Sequence, residues 1–111
     1  MCGLTALISN SNINGLEIYE SLLSIQHRGQ DGGGICCINN GNTEMIKDKG
    51  LLFNIFSYDD LNNMKGNIFL GHTRYKTNSI RDSFQPFNIY NDKLDMCFCH
   101  NGNVINTDYI I

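Results

Sequence analysis

The chain has a single proline, no long apolar run and little charge of either sign. Charged residues make up 17% of the 111 positions and apolar residues 41%, a balance typical of a folded domain rather than a disordered one. The apolar stretch Leu4–Ile8 is much shorter than the ~20 residues that span a bilayer, and it lacks the basic flank of a secretory signal. We therefore expect one small folded domain at most, cytoplasmic and without membrane contact.

A basic surface and a disulfide spacing pattern are also missing. The eight Lys and Arg residues are scattered and the net charge is -3, so nucleic acid is not an expected partner. Five cysteines without a secretory signal predict thiols rather than disulfides. The four cysteines other than Cys2 are then small core residues. Alternatively, Cys97, Cys99 and His100 bind zinc, although the C-x2-C spacing of many zinc sites is absent.

The first third of the chain predicts a strand followed by a helix. Residues Cys2–Ile8 are apolar and β-tolerant, which predicts a buried strand, and the polar cluster Ser9–Asn14 predicts a turn after it. Apolar residues recur near helical spacing over Gly15–Gln26, which predicts an amphipathic helix. It should end in the segment His27–Gly34, because four glycines in eight residues cannot sustain a helix.

The remainder predicts further strands and turns. Ile35–Ile38 and Glu44–Lys47 flank the segment 39–42, Asn-Asn-Gly-Asn, which favours a hairpin because Asn and Gly accept positive φ. Short helical turns are predicted in Leu51–Met64, capped by Ser57 or Asp59. Strands are predicted at Asn67–Tyr75, Phe87–Tyr90 and Leu94–His100, with a loop at Lys76–Gln85. A tight turn is predicted at Asn101–Asn103, followed by a cap at Thr107-Asp108 for a helix that Ile111 cuts short.

Cys2 is the first candidate for chemistry, because removal of Met1 would give it a free α-amine. The unperturbed pKa of that amine is ~7.7–8.0 and that of a thiol ~8.5, so the amine can act as base for its own side chain near neutral pH. A thiolate formed this way attacks amide carbons. The alternative is that residue 2 is merely a small residue.

Two further features fit attack on a carboxamide. Asn101-Gly102 offers a side-chain amide and a backbone N–H as donors to an oxyanion, although the same dipeptide is often only a β-turn. Arg28 and Arg74 can each grip the carboxylate of an amino acid through two parallel hydrogen bonds. The alternative for either arginine is a structural ion pair, with Asp31 or Asp82 as partner.

Four ordered segments together resemble the class II (N-terminal-nucleophile) glutamine amidotransferases along the whole chain. They are Met1-Cys2-Gly3-Leu4, Gln26-His27-Arg28-Gly29-Gln30-Asp31, Gly71-His72-Thr73-Arg74-Tyr75 and His100-Asn101-Gly102-Asn103. His-Arg-Gly-Gln-Asp is more similar to the amidophosphoribosyltransferase subfamily than to asparagine synthetases or glucosamine-phosphate synthases. The stretches 50–56 and Gln85-Pro86-Phe87 also resemble that subfamily.

The resemblance implies an α+β fold, the Ntn-hydrolase αββα sandwich, of which residues 1–111 form the N-terminal part. It also implies glutamine as substrate, no cofactor in this segment, no metal, and a phosphoribosyltransferase domain and homo-oligomer in the full-length parent. The implied site has Cys2 as nucleophile, Asn101 and Gly102 as oxyanion donors, Arg74 on the substrate carboxylate, Arg28 and Gly29 shaping the pocket, and Thr77 in the loop that closes over glutamine.

The chain departs from the family pattern at two points. Lys76 follows Arg74-Tyr75 where the family has a small residue or proline. The acidic residue that holds the ammonium of glutamine is expected beyond Ile111, because Asp108 follows Asn101 too closely. The alternatives to a glutaminase segment are therefore a non-catalytic remnant or assembly module of the same fold and a small Cys/His metal-binding protein.

Overall fold

The computed structural model describes residues 2–75 and 84–102, which form a helical layer, a four-stranded sheet and a two-stranded sheet. The strands are β1 Gly3–Asn14, β2 Gly32–Asn39, β3 Asn42–Lys49, β4 Lys65–Arg74, β5 Phe87–Asn91 and β6 Leu94–Phe98; the helices are α1 Leu16–Ser24, α2 Leu52–Ile55 and α3 Tyr58–Asn63, with a 3-10 turn at Gln26–Arg28. The larger sheet has the order β1-β4-β2-β3, and all its neighbours are antiparallel.

The register of the larger sheet decides which side chains share a face. Leu4 is paired with His72, and His72 with Gly34, so these three positions lie on one face. Gly3 and Thr73 are paired on the opposite face. We call the first the hairpin face, because the β5–β6 hairpin packs on it, and the second the helix face.

The hydrophobic core lies between the helix face and the helices. Ile18 and Leu22 of α1 are completely buried, as are Ile35 of β2 and Phe69 of β4. Fully burying side chains of this size contributes about 1.5–3 kcal/mol each. The rest of the buried cluster is Cys37, Leu52, Phe56, Leu61 and Met64. This packing holds the strands in register and so positions their ends, where the candidate site lies.

The β5–β6 hairpin covers only part of the hairpin face. The Lys47 ammonium donates to the Pro86 carbonyl at 2.9 Å, and the Thr43 hydroxyl donates to Asp95 at 2.9 Å, which ties the hairpin to β3. Further along the same face, β1 is uncovered by the described residues, and Leu4 and Ile8 are 43% and 80% exposed. The hairpin face is therefore covered at β2 and exposed to solvent at β1.

The predicted order of elements is largely confirmed. The Asn40-Gly41 turn of the first hairpin has φ of 50° and 83°, the positive values that Asn and Gly tolerate. The helix forms over Leu16–Ser24, and Ser57 caps α3 by accepting the Asp60 N–H at 3.1 Å. Residues 76–83, which include Thr77 and most of the predicted loop Lys76–Gln85, lie outside the described residues. So do residues 103–111, which include the end of the predicted turn Asn101–Asn103 and the predicted cap Thr107-Asp108.

The predicted first strand was wrong in length and burial. It continues beyond Ile8 to Asn14 with an irregularity in register, because Ile13 and Asn14 pair with Gly66 and Lys65 of β4. The register shifts between Ile8 and Ile13, so the polar residues there distort the strand in the manner of a bulge instead of ending it. Burial alternates along β1 instead of being continuous, since one face is uncovered.

The prediction that all cysteines are thiols was wrong for one pair. Cys36 and Cys97 are disulfide-bonded, because Cys36 lies on the hairpin face and β6 passes over it. Cys2, Cys37 and Cys99 are free. Among residues 2–75 and 84–102, no three His, Cys, Asp or Glu side chains group as a metal site would require. The zinc alternative therefore loses Cys97.

In the part of the chain that the structure describes, every helix is too short or too polar to traverse a bilayer.

Candidate active site

Cys2 lies at the start of β1, beside the end of β4. The Gly3 N–H donates to the Thr73 hydroxyl at 3.1 Å, which fixes the chain directly after Cys2. The Tyr75 backbone N–H then donates to the Cys2 sulfur at 3.4 Å. Cys2 is thus held by the contact of its own sulfur with Tyr75 and by the pairing of the next residue with β4.

Arg28 and Gly29 come next to this position from the turn after α1. The Arg28 guanidinium Nε donates to the Cys2 carbonyl at 3.3 Å. A Cβ on Gly29 would overlap the backbone of Arg74 and Tyr75, so only glycine permits this close approach. The two residues therefore line the backbone that carries Cys2 and the end of β4.

Arg74 is the last residue of β4 and only 9% exposed. Its guanidinium carbon lies 5.2 Å from the centre of the Phe84 ring, a cation–π arrangement. Its backbone carbonyl accepts the Asp31 N–H at 3.0 Å. It also lines an open cleft with Gln30, Asp31, Lys49, Gly50, Asn54 and Phe84. The structure thus places a buried cation one residue before the backbone that contacts the Cys2 sulfur.

Asn101 and Gly102 follow β6 and are exposed. Gly102 has φ 148°, in the positive range that favours glycine. The residue before them, His100, donates its backbone N–H to the Gln85 side-chain carbonyl at 2.6 Å. We call residues 100–102 the oxyanion segment, after the role the resemblance implies.

His72 links the oxyanion segment to β4. It is fully buried on the hairpin face, and neither ring nitrogen has a hydrogen-bond partner among the described residues. Burial lowers the pKa of His72 to about 4, and Arg74 adds to this, while the nearby His100 backbone opposes it. The imidazole is therefore neutral at pH 7.

Alternation along β4 puts Arg74 on the same face as His72. Gly3 and Thr73 face the helices, so Arg74 projects to the opposite side, where His72 meets the oxyanion segment. Sequence reasoning assigned no role to the Tyr75 N–H, His72 or Gln85. Gln85-Pro86-Phe87 had been noted only as a subfamily likeness, and a backbone donor leaves no signal in side-chain identity.

The fold and this site define a class II glutamine amidotransferase domain, of the Ntn type, of which the chain covers the N-terminal part. Similar structures include the B. subtilis glutamine phosphoribosylpyrophosphate amidotransferase complexed with ADP and GMP, at TM-score 0.84 and 27% identity, and a structure of the allosteric regulatory enzyme of purine biosynthesis, at TM-score 0.86 and 26% identity. In both, the match covers 99% of this chain and 24% of the other.

Curated relatives of the chain carry the name of one family within this class. The amidophosphoribosyltransferase of Methanocaldococcus jannaschii is 34% identical over 111 residues, covering 97% of this chain and 24% of the relative. That of Pseudomonas aeruginosa is 33% identical over 112 residues, covering 99% and 22%, and the chloroplastic amidophosphoribosyltransferase 3 of Arabidopsis thaliana is 38% identical over 108 residues, covering 95% and 20%. No protein-family model matches the chain. The chain is thus a glutaminase-domain segment of the amidophosphoribosyltransferase family, as its motifs predicted, and it spans about a quarter of the length of these relatives.

Proposed function

We propose that this segment releases ammonia from glutamine through a thioester on Cys2. The observation that carries the proposal is the position of the Cys2 sulfur, which lies 3.4 Å from the Tyr75 backbone nitrogen. Tyr75 directly follows the buried Arg74. A nucleophile and a carboxylate-binding cation at the end of one sheet suit an amino-acid amide. Family membership supports the same chemistry.

The first half-reaction begins once Met1 has been removed. The free α-amine of Cys2 takes the thiol proton, and the sulfur attacks the carboxamide carbon of glutamine. Asn101 donates from its side-chain amide and Gly102 from its backbone N–H to the resulting oxyanion. Collapse of the tetrahedral intermediate breaks the carbon–nitrogen bond, and the α-ammonium returns its proton to the leaving ammonia.

The second half-reaction restores the enzyme. Water attacks the thioester carbon while the α-amine accepts its proton, and a second oxyanion forms against the same donors. The carbon–sulfur bond then breaks, which releases glutamate and returns the proton to sulfur. Because the amine acts as base twice, a histidine partner for Cys2 is unnecessary.

Substrate binding rests on Arg74, with Arg28 and Gly29 shaping the pocket around Cys2. Arg74 offers two parallel N–H donors to the α-carboxylate of glutamine, and its low exposure strengthens that pairing. Arg28 holds the carbonyl of Cys2, and Gly29 permits the backbone of Arg74 to come close. Thr77 in the closing loop stays a prediction, because it lies outside the described residues.

In a longer chain of this family, the ammonia would pass to phosphoribosyl pyrophosphate in purine synthesis. Relatives that are about four times as long, and one that is described as a phosphoribosylpyrophosphate amidotransferase, support this acceptor. A phosphoribosyltransferase domain, a homo-oligomer and a cytoplasmic location remain predictions of the same kind.

The first experiment is labelling of the chain with a glutamine-like diazoketone, followed by intact and peptide mass spectrometry. We expect a chain that lacks Met1 to carry one label on Cys2, and glutamine to slow the labelling by occupying the same pocket. Glutamate release from glutamine is measured in parallel. A folded, Met-free chain whose Cys2 stays unlabelled would contradict the proposal and favour the non-catalytic remnant or assembly module.

The matched controls are two serine variants. Cys2→Ser should abolish the label, whereas Cys99→Ser should leave it unchanged. Cys99 is also a free, partly exposed thiol, but burial raises its pKa to about 11 despite the opposing effect of Lys47, so it is protonated at neutral pH. Labelling at Cys99 instead of Cys2 would indicate general alkylation rather than a glutamine pocket.

A further inference from the structure

Gln85 bridges the oxyanion segment and the sheet. Its side-chain carbonyl accepts the His100 N–H at 2.6 Å, directly before the two residues that serve as oxyanion donors. His100 lies two residues after the end of β6, beyond the last residue of that strand that pairs with β5. This hydrogen bond therefore fixes the chain just where regular pairing has stopped.

The backbone of Gln85 is fixed in turn by Gly34. A Cβ on Gly34 would overlap the Gln85 carbonyl, so the segment rests directly on β2. The next residue, Pro86, is buried and its carbonyl accepts the Lys47 ammonium at 2.9 Å. Gln85 thus starts from a rigid base rather than a free loop.

Position on the sheet connects this base to the nucleophile. Gly34 is paired with His72, and His72 with Leu4, two residues after Cys2. The row formed by Leu4, His72 and Gly34 joins the start of β1 to the position on β2 against which the Gln85 carbonyl lies. A displacement of Gln85 would therefore move the oxyanion segment relative to the Cys2 sulfur.

We propose that Gln85 is the positioning residue of the oxyanion donors, holding Asn101 and the Gly102 N–H through its hydrogen bond to the His100 N–H. The assignment rests on the proposed glutaminase function and gives Gln85 no contact with substrate. Loss of the Gln85 hydrogen bond should lower the rate of the chemical step, because the orientation of the donors matters most when the oxyanion forms. Substrate affinity, set by Arg74, should change little.

The test compares Gln85→Met and Gln85→Glu with the unchanged chain in diazoketone labelling. Methionine keeps the length but loses the acceptor, whereas glutamate keeps an acceptor oxygen. We expect Gln85→Met to lower the maximal labelling rate about tenfold, the effect of one lost hydrogen bond, with the half-saturating concentration nearly unchanged. Gln85→Glu should retain most of the rate.

Thr43→Val is the matched control. It removes the hydrogen bond that ties the β5–β6 hairpin to β3 at Asp95 but leaves the bond from Gln85 to His100 in place. The control should keep the labelling rate of the unchanged chain. An equal loss in Thr43→Val and Gln85→Met would overturn the proposal, because general docking of the hairpin would then explain both, and so would an unchanged rate in Gln85→Met.

A second measurement separates this inference from the proposed function. NMR exchange of the His100 amide should be faster in Gln85→Met than in the unchanged chain and in Gln85→Glu. If the unchanged chain takes no label, the proposed function fails, while equal exchange in all three chains would still overturn the role of Gln85. If circular dichroism shows that Gln85→Met is unfolded, Gln85→Asn, which retracts the acceptor by one methylene, replaces it.

Discussion

At the residue scale, the most unusual side chain is that of His72. A fully buried imidazole without a hydrogen-bond partner in the described parts of the chain is uncommon, because buried polar atoms are nearly always paired. Its neighbours are Leu4 and Gly34 on the flanking strands and the oxyanion segment above. Because burial and the nearby charge of Arg74 outweigh the opposing effect of the His100 backbone, the neutral ring is favoured over the protonated ring.

Protonation of His72 should make the domain acid-sensitive. Its pKa falls from 6.5 in the unfolded chain to about 4 in the folded one, so the unfolded state binds the proton more tightly. The free energy of unfolding should be fully retained above pH 6.5 and should decline as the pH falls from 6.5 to 4. The total loss is roughly 3 kcal/mol.

Urea unfolding at pH 7.5, 6 and 5 measures this decline, and His72→Gln supplies the comparison. Glutamine is polar but does not titrate, so the variant should lose less stability over the same interval. Parallel pH profiles for both chains would show that another group is responsible.

Short local signals explain most of the elements. The Asn40-Gly41 turn, the helix over Leu16–Ser24 and the capped start of α3 follow from residues that act within a few positions. β1 is different, because its extension to Asn14 depends on β4, more than fifty residues later. Predicting that extension requires the register between two distant strands.

The cap of α3 gives a test at this scale. Ser57→Ala removes the acceptor for the Asp60 N–H and should lower the free energy of unfolding by about 1 kcal/mol. Ser57→Asp keeps an acceptor oxygen and adds negative charge at the helix N-terminus, so it should preserve stability. Chemical denaturation of the three chains makes the comparison; equal losses in both variants would argue against the cap.

At the scale of the whole molecule, the residues that the structure describes leave one part of a sheet face uncovered. The β5–β6 hairpin covers the β2 and β3 side, whereas Leu4 and Ile8 on the edge strand β1 remain exposed. Exposed apolar side chains on an edge strand favour association between chains. We therefore expect this segment by itself to self-associate as its concentration rises.

Ile8→Lys should weaken that association, because a lysine on the edge strand opposes pairing with another chain. Phe53→Lys is the matched control, since Phe53 is equally exposed at 80% but lies on α2, away from the open face. Sedimentation velocity over a concentration series measures both. Self-association that persists in Ile8→Lys, or disappears equally in Phe53→Lys, would contradict the role of β1.

The sequence by itself determined the family, the order of most elements and the identity of Cys2, Arg74, Asn101 and Gly102 as candidates, because motifs, caps and turns are written in neighbouring residues. Only the tertiary structure decided that the Tyr75 N–H faces the Cys2 sulfur, that Gln85 holds His100, and that Cys36 meets Cys97. Those contacts join residues far apart in the chain. They depend on strand register and on the stacking of two sheets, which packing of the whole domain sets.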